Sequence, residues 1–459
     1  METGRRGLAH MLKDETDVTT ATDPVPTDDA LSLTSPPIVI ATALTLAACG
    51  GGGGGSAGSG TGTAPPTPSP TPTPTPTPPP IGTAAASRFL AQATMGATKS
   101  TISDVVSRGY DGWLTQQFGM ARPTTHWDWL VANGFNAAAN VNTQNGFDTS
   151  MWRQLITSED QLRQRVGMAL LDMLVVGIGG VNLNWQAFAM AAYVDVLLDN
   201  AFGNYRDLIG KVTFNAAMGS FLTYLNNRKA NPTTGAVPDE NYARELMQLF
   251  TIGLHKLNPD GTVVTSGGQP VETYTLTDVS QLARVFTGLV LPSGGTATPD
   301  IYRQPMAMNA GRHETGSATV LGTAINNAEG TAAINQALDV IFAHPNVPPF
   351  VSKQLIQRLV SSNPSPGYVA RVSAVFTNNG AGVRGDMKAV IRAILMDDEA
   401  RSDTALGATG GGKLREPVMR LTAWARAFGA TSPSNAWAIG DTSSQSNRLA
   451  QSMGRKIGR

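Results

Sequence analysis

D-E-N-Y-A-R-E-L-M-Q-L-F-T-I-G, Asp239 to Gly253, keeps the period of an amphipathic helix over its length and closes on the kind of glycine that ends one. On a wheel of about 100° per residue with Glu240 at zero, Arg244, Gln248, Asn241 and Glu245 fall at roughly 40°, 80°, 100° and 140°. Tyr242, Ala243, Leu246, Met247, Leu249 and Phe250 fill the arc from roughly 180° to 340°. The stretch therefore predicts a helix over 240–252, docked on a core by one face. Asp239 is placed to cap it, Glu240 complements its N-terminal dipole, and Glu240 with Arg244 forms an i,i+4 pair in the better orientation, worth about 0.2–0.5 kcal/mol. A solvated face with one ion pair accounts for every polar residue here.

The same period recurs at about 86–94, 99–108, 111–118, 159–175, 186–200, 205–214, 278–287, 331–343, 347–360, 366–376, 385–397 and 417–428. The fold class is mainly α, a multi-helix globular domain over 83–459. Ser158 with Gln161 reads as a capping box, Thr277 precedes Asp278 as a further cap, and Gly253 and Gly288 stand just past their helices. One place reads as strand. Leu254 to Val264 followed by Val271 to Leu276 contains N-P-D-G at Asn258 to Gly261, a turn by composition, which predicts a small β-hairpin over about 254–276. No period of roughly 20–50 residues marks a solenoid.

Ahead of the domain, an apolar run from Pro37 ends in L-A-A-C at Leu46 to Cys49, followed by glycine. The run suits a signal-peptide core and is too short for a span of roughly twenty helical residues. Cys49 is the only cysteine of the chain and stands where a lipobox places the acylated residue, so residues 1–48 read as a leader and Cys49 as a lipidation site. Asp14, Glu15, Asp17, Asp23, Asp28 and Asp29 precede the run where a signal peptide carries basic residues, which puts the first residue in question. Residues 49–82 read as a linker of two textures, a glycine run at Gly50 to Gly55 and alternating Thr-Pro from Pro66 to Pro80. The first is a flexible coil; the second favours polyproline II at about 3.1 Å per residue and spans on the order of 50 Å. The expected location is the cell envelope, on the membrane through an N-terminal lipid. Glycine after the cysteine favours the outer membrane in a Gram-negative host.

Loss of 1–48 would remove three of the 34 basic and seven of the 34 acidic side chains, leaving 31 and 27, a net charge of about +4. That balance offers no concentrated basic face for nucleic acid. No H-E-x-x-H, Walker loop, G-x-S-x-G elbow or cysteine nucleophile is present in the mature chain, and no metal or cofactor is expected. V-G-I-G-G at Val176 to Gly180 lacks the preceding strand and acidic ribose partner of a dinucleotide site. His126, among Trp127 and Trp129, reads as packing, and His344 before Pro345 as a helix end.

Several stretches together resemble the bacterial family catalogued as domain of unknown function 1800: the N-Y-A-R-E helix, A-F-G-N-Y-R-D-L-I-G-K-V-T from Ala201, L-A-R-V-F-T-G at Leu282 to Gly288, and R-F-L-A-Q-A-T-M-G near the start. S-N-P-S-P-G-Y-V-A-R-V at Ser362 to Val372, V-R-G-D-M-K-A-V-I-R-A-I-L at Val383 to Leu395 and K-L-R-E-P-V at Lys413 to Val418 extend the likeness from about Ala86 to Ile439. R-H-E-T-G-S-A-T-V-L-G at Arg312 to Gly322 is similar to a second family signature, with Ala318 where the family carries lysine. The resemblance implies secreted or envelope helical proteins, often encoded beside exported sulfatase-like proteins, which makes such a protein a candidate partner. It also implies a longer C-terminus than Q-S-M-G-R-K-I-G-R, because family members continue past W-A-I-G-D-T-S into an aromatic, proline-containing segment.

The resemblance singles out Arg244, Glu245 and His313. Two functions follow as expectations. The first is a lipid-anchored envelope protein that binds an exported partner or a surface polymer. The alternative is an envelope hydrolase in which Glu240 or Glu245 is acid or base, Arg244 holds an anionic group and His313 completes the site, with Asn241 and Gln248 as weaker binding candidates.

Overall fold

The apolar stripes become helices at nearly the bounds their period sets. The computed structural model describes residues 80–403, 411–437 and 439. The leader, Cys49, the Thr-Pro spacer up to Pro79 and the final Q-S-M-G-R-K-I-G-R lie outside the described residues. Contacts divide the chain into Met1–Thr75 and Pro76–Arg459, and every described residue belongs to the second unit.

The helices are α1 (Thr83–Ala93), α2 (Lys99–Gly119), α3 (His126–Ala132), α4 (Phe147–Thr157), α5 (Gln161–Met173), α6 (Gln186–Asp199), α7 (Tyr205–Thr213), α8 (Ala216–Phe221) and α9 (Asn241–Glu245). Then come α10 (Leu276–Val285), α11 (Gly330–Ala343), α12 (Val347–Leu359), α13 (Pro366–Thr377), α14 (Met387–Met396), α15 (Asp398–Arg401) and α16 (Pro417–Ala427). The fold is mainly α, as the periodicity implied. The break expected between 108 and 111 is a kink at Gly109, whose φ of 74° needs glycine. Among the described residues no helix is long and apolar enough to cross a membrane.

Helix α6, Q-A-F-A-M-A-A-Y-V-D-V-L-L-D, is apolar around nearly its whole circumference and lies at the centre, where a helix of that kind has to be. It packs on α3, α4, α5, α7 and α8. Gly167 on α5 faces Leu198 of α6 so closely that a Cβ there would collide with it. Helices α12, α13 and α14 form the other side, with the Tyr368 hydroxyl of α13 donating to the Ile394 carbonyl of α14 at 2.6 Å.

Four local expectations change. The hairpin exists, but its turn is at Gly267 and Gly268, between β1 (Thr265–Ser266) and β2 (Gln269–Pro270), with a further bridge from His255 to Glu272, while N-P-D-G makes a second turn flanked by the Leu257–Val263 bridge and closed by the Asn258 N–H donating to the Thr262 carbonyl at 2.8 Å. Two further antiparallel pairs occur, β3 (Leu289–Val290) with β4 (Ala307–Met308) and β5 (Ala318–Val320) with β6 (Thr323–Ile325). Strands of two or three residues are too short to show a period. Thr275 rather than Thr277 caps α10, in a reciprocal box with Asp278. Ser158 and Gln161 form no box, because Ser158 is the extended residue after α4; its hydroxyl donates to the Asp160 carboxylate, and Gln161 Nε2 donates to the Ser158 carbonyl.

Candidate functional site

The signature stretch begins as expected. The Asp239 carboxylate accepts the Asn241 N–H at 2.8 Å and the Thr223 hydroxyl at 2.9 Å. Tyr242 is buried, stacked on Tyr224 at 4.1 Å between ring centroids and edge-on to Phe286, with its hydroxyl 2.7 Å from Thr213 Oγ1. After Glu245 the helix widens into a π-turn over Leu246–Thr251. An i→i+5 turn advances each residue by only roughly 80–90°, so residues beyond 246 fall behind the α wheel. That lag swings Leu249 out of the apolar arc, leaving it 43% exposed, while Leu246, Met247 and Phe250 stay fully buried. Gly253, at φ 72°, ends the turn against Phe350, where a Cβ would come within 2.6 Å of the ring.

The polar residues group where α becomes π. Arg244 pairs with Glu240 at 3.0 Å, both partly exposed. Asn241 is exposed at the first turn. Gln248 accepts from the Tyr274 hydroxyl at 3.3 Å. Glu245 is half-buried, and its Oε2 is buried without a hydrogen-bond partner among the described residues. Burial pushes the Glu245 carboxyl above its ordinary value, and Arg244 offsets only part of that. An unpartnered carboxylate oxygen beside Arg244, Gln248 and Tyr274 can accept a proton or a ligand's donor, and π-turns occur often at functional sites.

Two substitutions check this description. Arg244→Ala should change stability by no more than about 0.5 kcal/mol, since it removes a partly exposed ion pair. Glu245→Gln should raise the thermal midpoint at pH 7. A carboxyl whose folded-state pKa is raised stabilises the protein only while protonated, and that contribution is lost as pH rises. The gap to wild type should narrow as pH falls toward 4.5, the ordinary value of the carboxyl. A midpoint lowered by Glu245→Gln at pH 7 would contradict the uncompensated burial.

His313 lies in the turn between β4 and β5. It is buried, with Nδ1 2.8 Å from the Thr287 carbonyl and Nε2 3.0 Å from the Asn327 carbonyl, so a neutral ring can donate to only one of them. Its neighbour Glu314 donates its N–H to Thr287 Oγ1 and accepts Asn327 Nδ2 on its carbonyl. The R-H-E turn thereby staples the end of α10 to the segment before α11. Among the described residues no hydrogen bond or ion pair joins His313 to 240–251. Ala318 is buried in β5. His126 is fully buried, with Nδ1 3.0 Å from Ser150 Oγ, and burial followed by Arg122 and Arg153 lowers its pKa to about 3.

Sequence reasoning missed three features. A buried ion pair joins Arg122 to Asp195. A cleft of about 280 Å³ lies beside the end of α4. On α16, Val418, Met419, Thr422 and Ala425 face the core, but Trp424 and Phe428 remain 58% and 76% exposed, their ring centroids 5.9 Å apart. Two aromatics at i,i+4 off the buried arc were the legible signal for that patch.

Neither the curated proteins nor the solved structures contain a match to this chain. A family model described as "Protein of unknown function (DUF1800)" matches residues 88–457, most of the chain, and its span takes in the signature helix, the R-H-E staple and α16. The chain belongs to that family of proteins of unknown function.

Proposed function

We propose that the protein is a lipid-anchored envelope protein, held by an acylated Cys49, whose helical domain binds an anionic cell-surface polymer through α16. The observation that carries this reading is the exposed pair Trp424 and Phe428 with the exposed Arg420 one turn earlier. Soluble surfaces rarely leave large aromatics this bare without a partner. Two rings fill far less than the roughly 1,200–2,000 Å² of a standard protein interface, but each π-face suits the C–H face of one sugar ring. Arg420 is the exposed cation of α16, since Arg426 donates to core carbonyls and Lys413 pairs with Glu416, and one exposed guanidinium beside the two rings suits an acidic polymer. The lipobox and the spacer at 49–82 support a domain held at reach from a membrane.

The hydrolase reading keeps one supporting observation, the buried Glu245 Oε2 without a hydrogen-bond partner among the described residues, where burial favours the protonated carboxyl. In that reading Glu245→Gln abolishes the cellular role without unfolding the domain; in the binding reading it leaves that role intact.

A photoreactive phenylalanine analogue at position 424 in living cells tests the binding reading. We expect polydisperse adducts that a polysaccharide-degrading treatment collapses, and none from the exposed position Ala332. A discrete protein adduct at 424, such as one with an exported sulfatase-like partner, would overturn the polymer. Labelling with an alkyne palmitate analogue tests the anchor, with label expected on the wild type and absent from Cys49→Ser; equal label on both would refute acylation at Cys49.

A further inference from the structure

Met120, Ala121, Pro123, Arg153, Gln154, Thr157, Ser158 and Glu159 line the cleft of about 280 Å³ beside the end of α4. Gln154 and Ser158 of this lining belong to a buried polar network whose charges are already matched. Asp160 is held by Ser158, Gln164 and Arg163, and Asp195 by Arg122 and the N–H groups of His126 and Trp127. Arg153 differs. Its Nε is buried without a partner, as are those of Arg122 and Arg163, but unlike theirs its guanidinium makes no hydrogen bond or ion pair at all among the described residues. Nor is it needed to cap α4. The carbonyls of Arg153, Gln154, Leu155 and Ile156 are taken by Thr157 Oγ1, the Ser158 N–H, Gln161 Nε2 and Arg426 Nη1. A buried donor left unmatched is costly unless a ligand or water meets it.

The exposed Glu159 carboxylate, on the same cleft, also has no hydrogen bond or ion pair among the described residues. A partnerless cation and a partnerless anion therefore share one small cleft, whose other wall is Met120, Ala121 and Pro123. The volume lies just below the range of about 300–1,000 Å³ typical of drug-sized ligands. A guanidinium fork is matched to a carboxylate, and Glu159 would repel a doubly charged phosphate.

We infer that this cleft is a binding site for a small zwitterion of the α-amino-acid class, its carboxylate on Arg153, its ammonium on Glu159 and its side chain on the Met120–Pro123 wall. No residue of α16 lines the cleft, so the inference stands or falls independently of polymer binding.

The test is thermal unfolding of the full chain with glycine, L-alanine, L-leucine, their N-acetyl and amide derivatives, and inorganic phosphate. A ligand that binds only the folded state raises the midpoint. At least one free amino acid should do so in a saturable way, its blocked derivatives should not, and Arg153→Gln and Glu159→Gln should each weaken it about tenfold or more. Should Arg153→Gln fail to fold, the exposed Glu159→Gln decides alone. No saturable shift with any free amino acid, an equal shift with phosphate, or undiminished binding by Glu159→Gln would overturn the inference.

Discussion

Asp195→Ala is expected to cost about 3–5 kcal/mol, the range for stripping one partner from a buried ion pair. The Asp195 carboxylate contacts Arg122 and accepts the N–H groups of His126 at 2.9 Å and Trp127 at 3.0 Å, so one side chain holds a buried cation and starts α3. Burial pushes this carboxyl above its ordinary range, against the opposing pull of Arg122 and the two N–H donors. Removing it leaves Arg122 with the exposed Asp199, at 2.7 Å, as its one carboxylate partner and frees two helix N–H groups. Asp199→Ala, by contrast, removes the solvent-facing partner and should stay within about 1 kcal/mol. Urea unfolding of both variants measures the difference, and similar costs for the two would show that the buried network is not what fixes α3 on α6.

Leu246→Ala should cost about 2–5 kcal/mol and reduce soluble yield. Leu246 is fully buried at the first residue of the π-turn, in the arc with Tyr242, Ala243, Met247 and Phe250. Leu249→Ala is the internal control. On a regular α-helix both leucines share the apolar face, whereas the π-turn turns Leu249 toward solvent, so its loss should be within about 0.5 kcal/mol. Equal destabilisation by the two would mean that the helix runs regularly through 252.

That pair of leucines marks how far the sequence could be read. The arc through Tyr242, Ala243, Leu246, Met247 and Phe250 was legible because α periodicity is a local property. The widening after Glu245 was not, since no spacing signals an i→i+5 turn. Helices α3 and α4 escaped notice for a related reason. Helix α3 is only seven residues long, its Thr125 cap is local but the Asp195 carboxylate that takes its first N–H groups is remote in the chain, and α4 begins at Gly146 with φ 85° rather than at a polar cap. Among the site candidates, Glu240, Arg244 and Glu245 share a helix and were legible together. Where His313 lies relative to them depends on how α10 and the loop before α11 pack, which is tertiary. The cation of the cleft was hidden because whether Arg153 has a partner is decided by residues it meets only on folding. Trp424 and Phe428 were visible as residues, but their exposure becomes evident only once Val418, Met419, Thr422 and Ala425 occupy the core.

Polymer binding by α16 is tested most directly by co-sedimentation of the purified full chain with acidic and neutral envelope polysaccharides, comparing wild type with the double substitution Trp424→Ser and Phe428→Ser. Both side chains are largely exposed, so the double variant should keep the wild-type thermal midpoint to within a few degrees. Wild type should sediment with the acidic polymer, more weakly as salt rises, and the double variant should lose about tenfold or more in affinity. Sedimentation of the double variant indistinguishable from wild type, or no binding of wild type to any acidic polymer, would contradict the assignment.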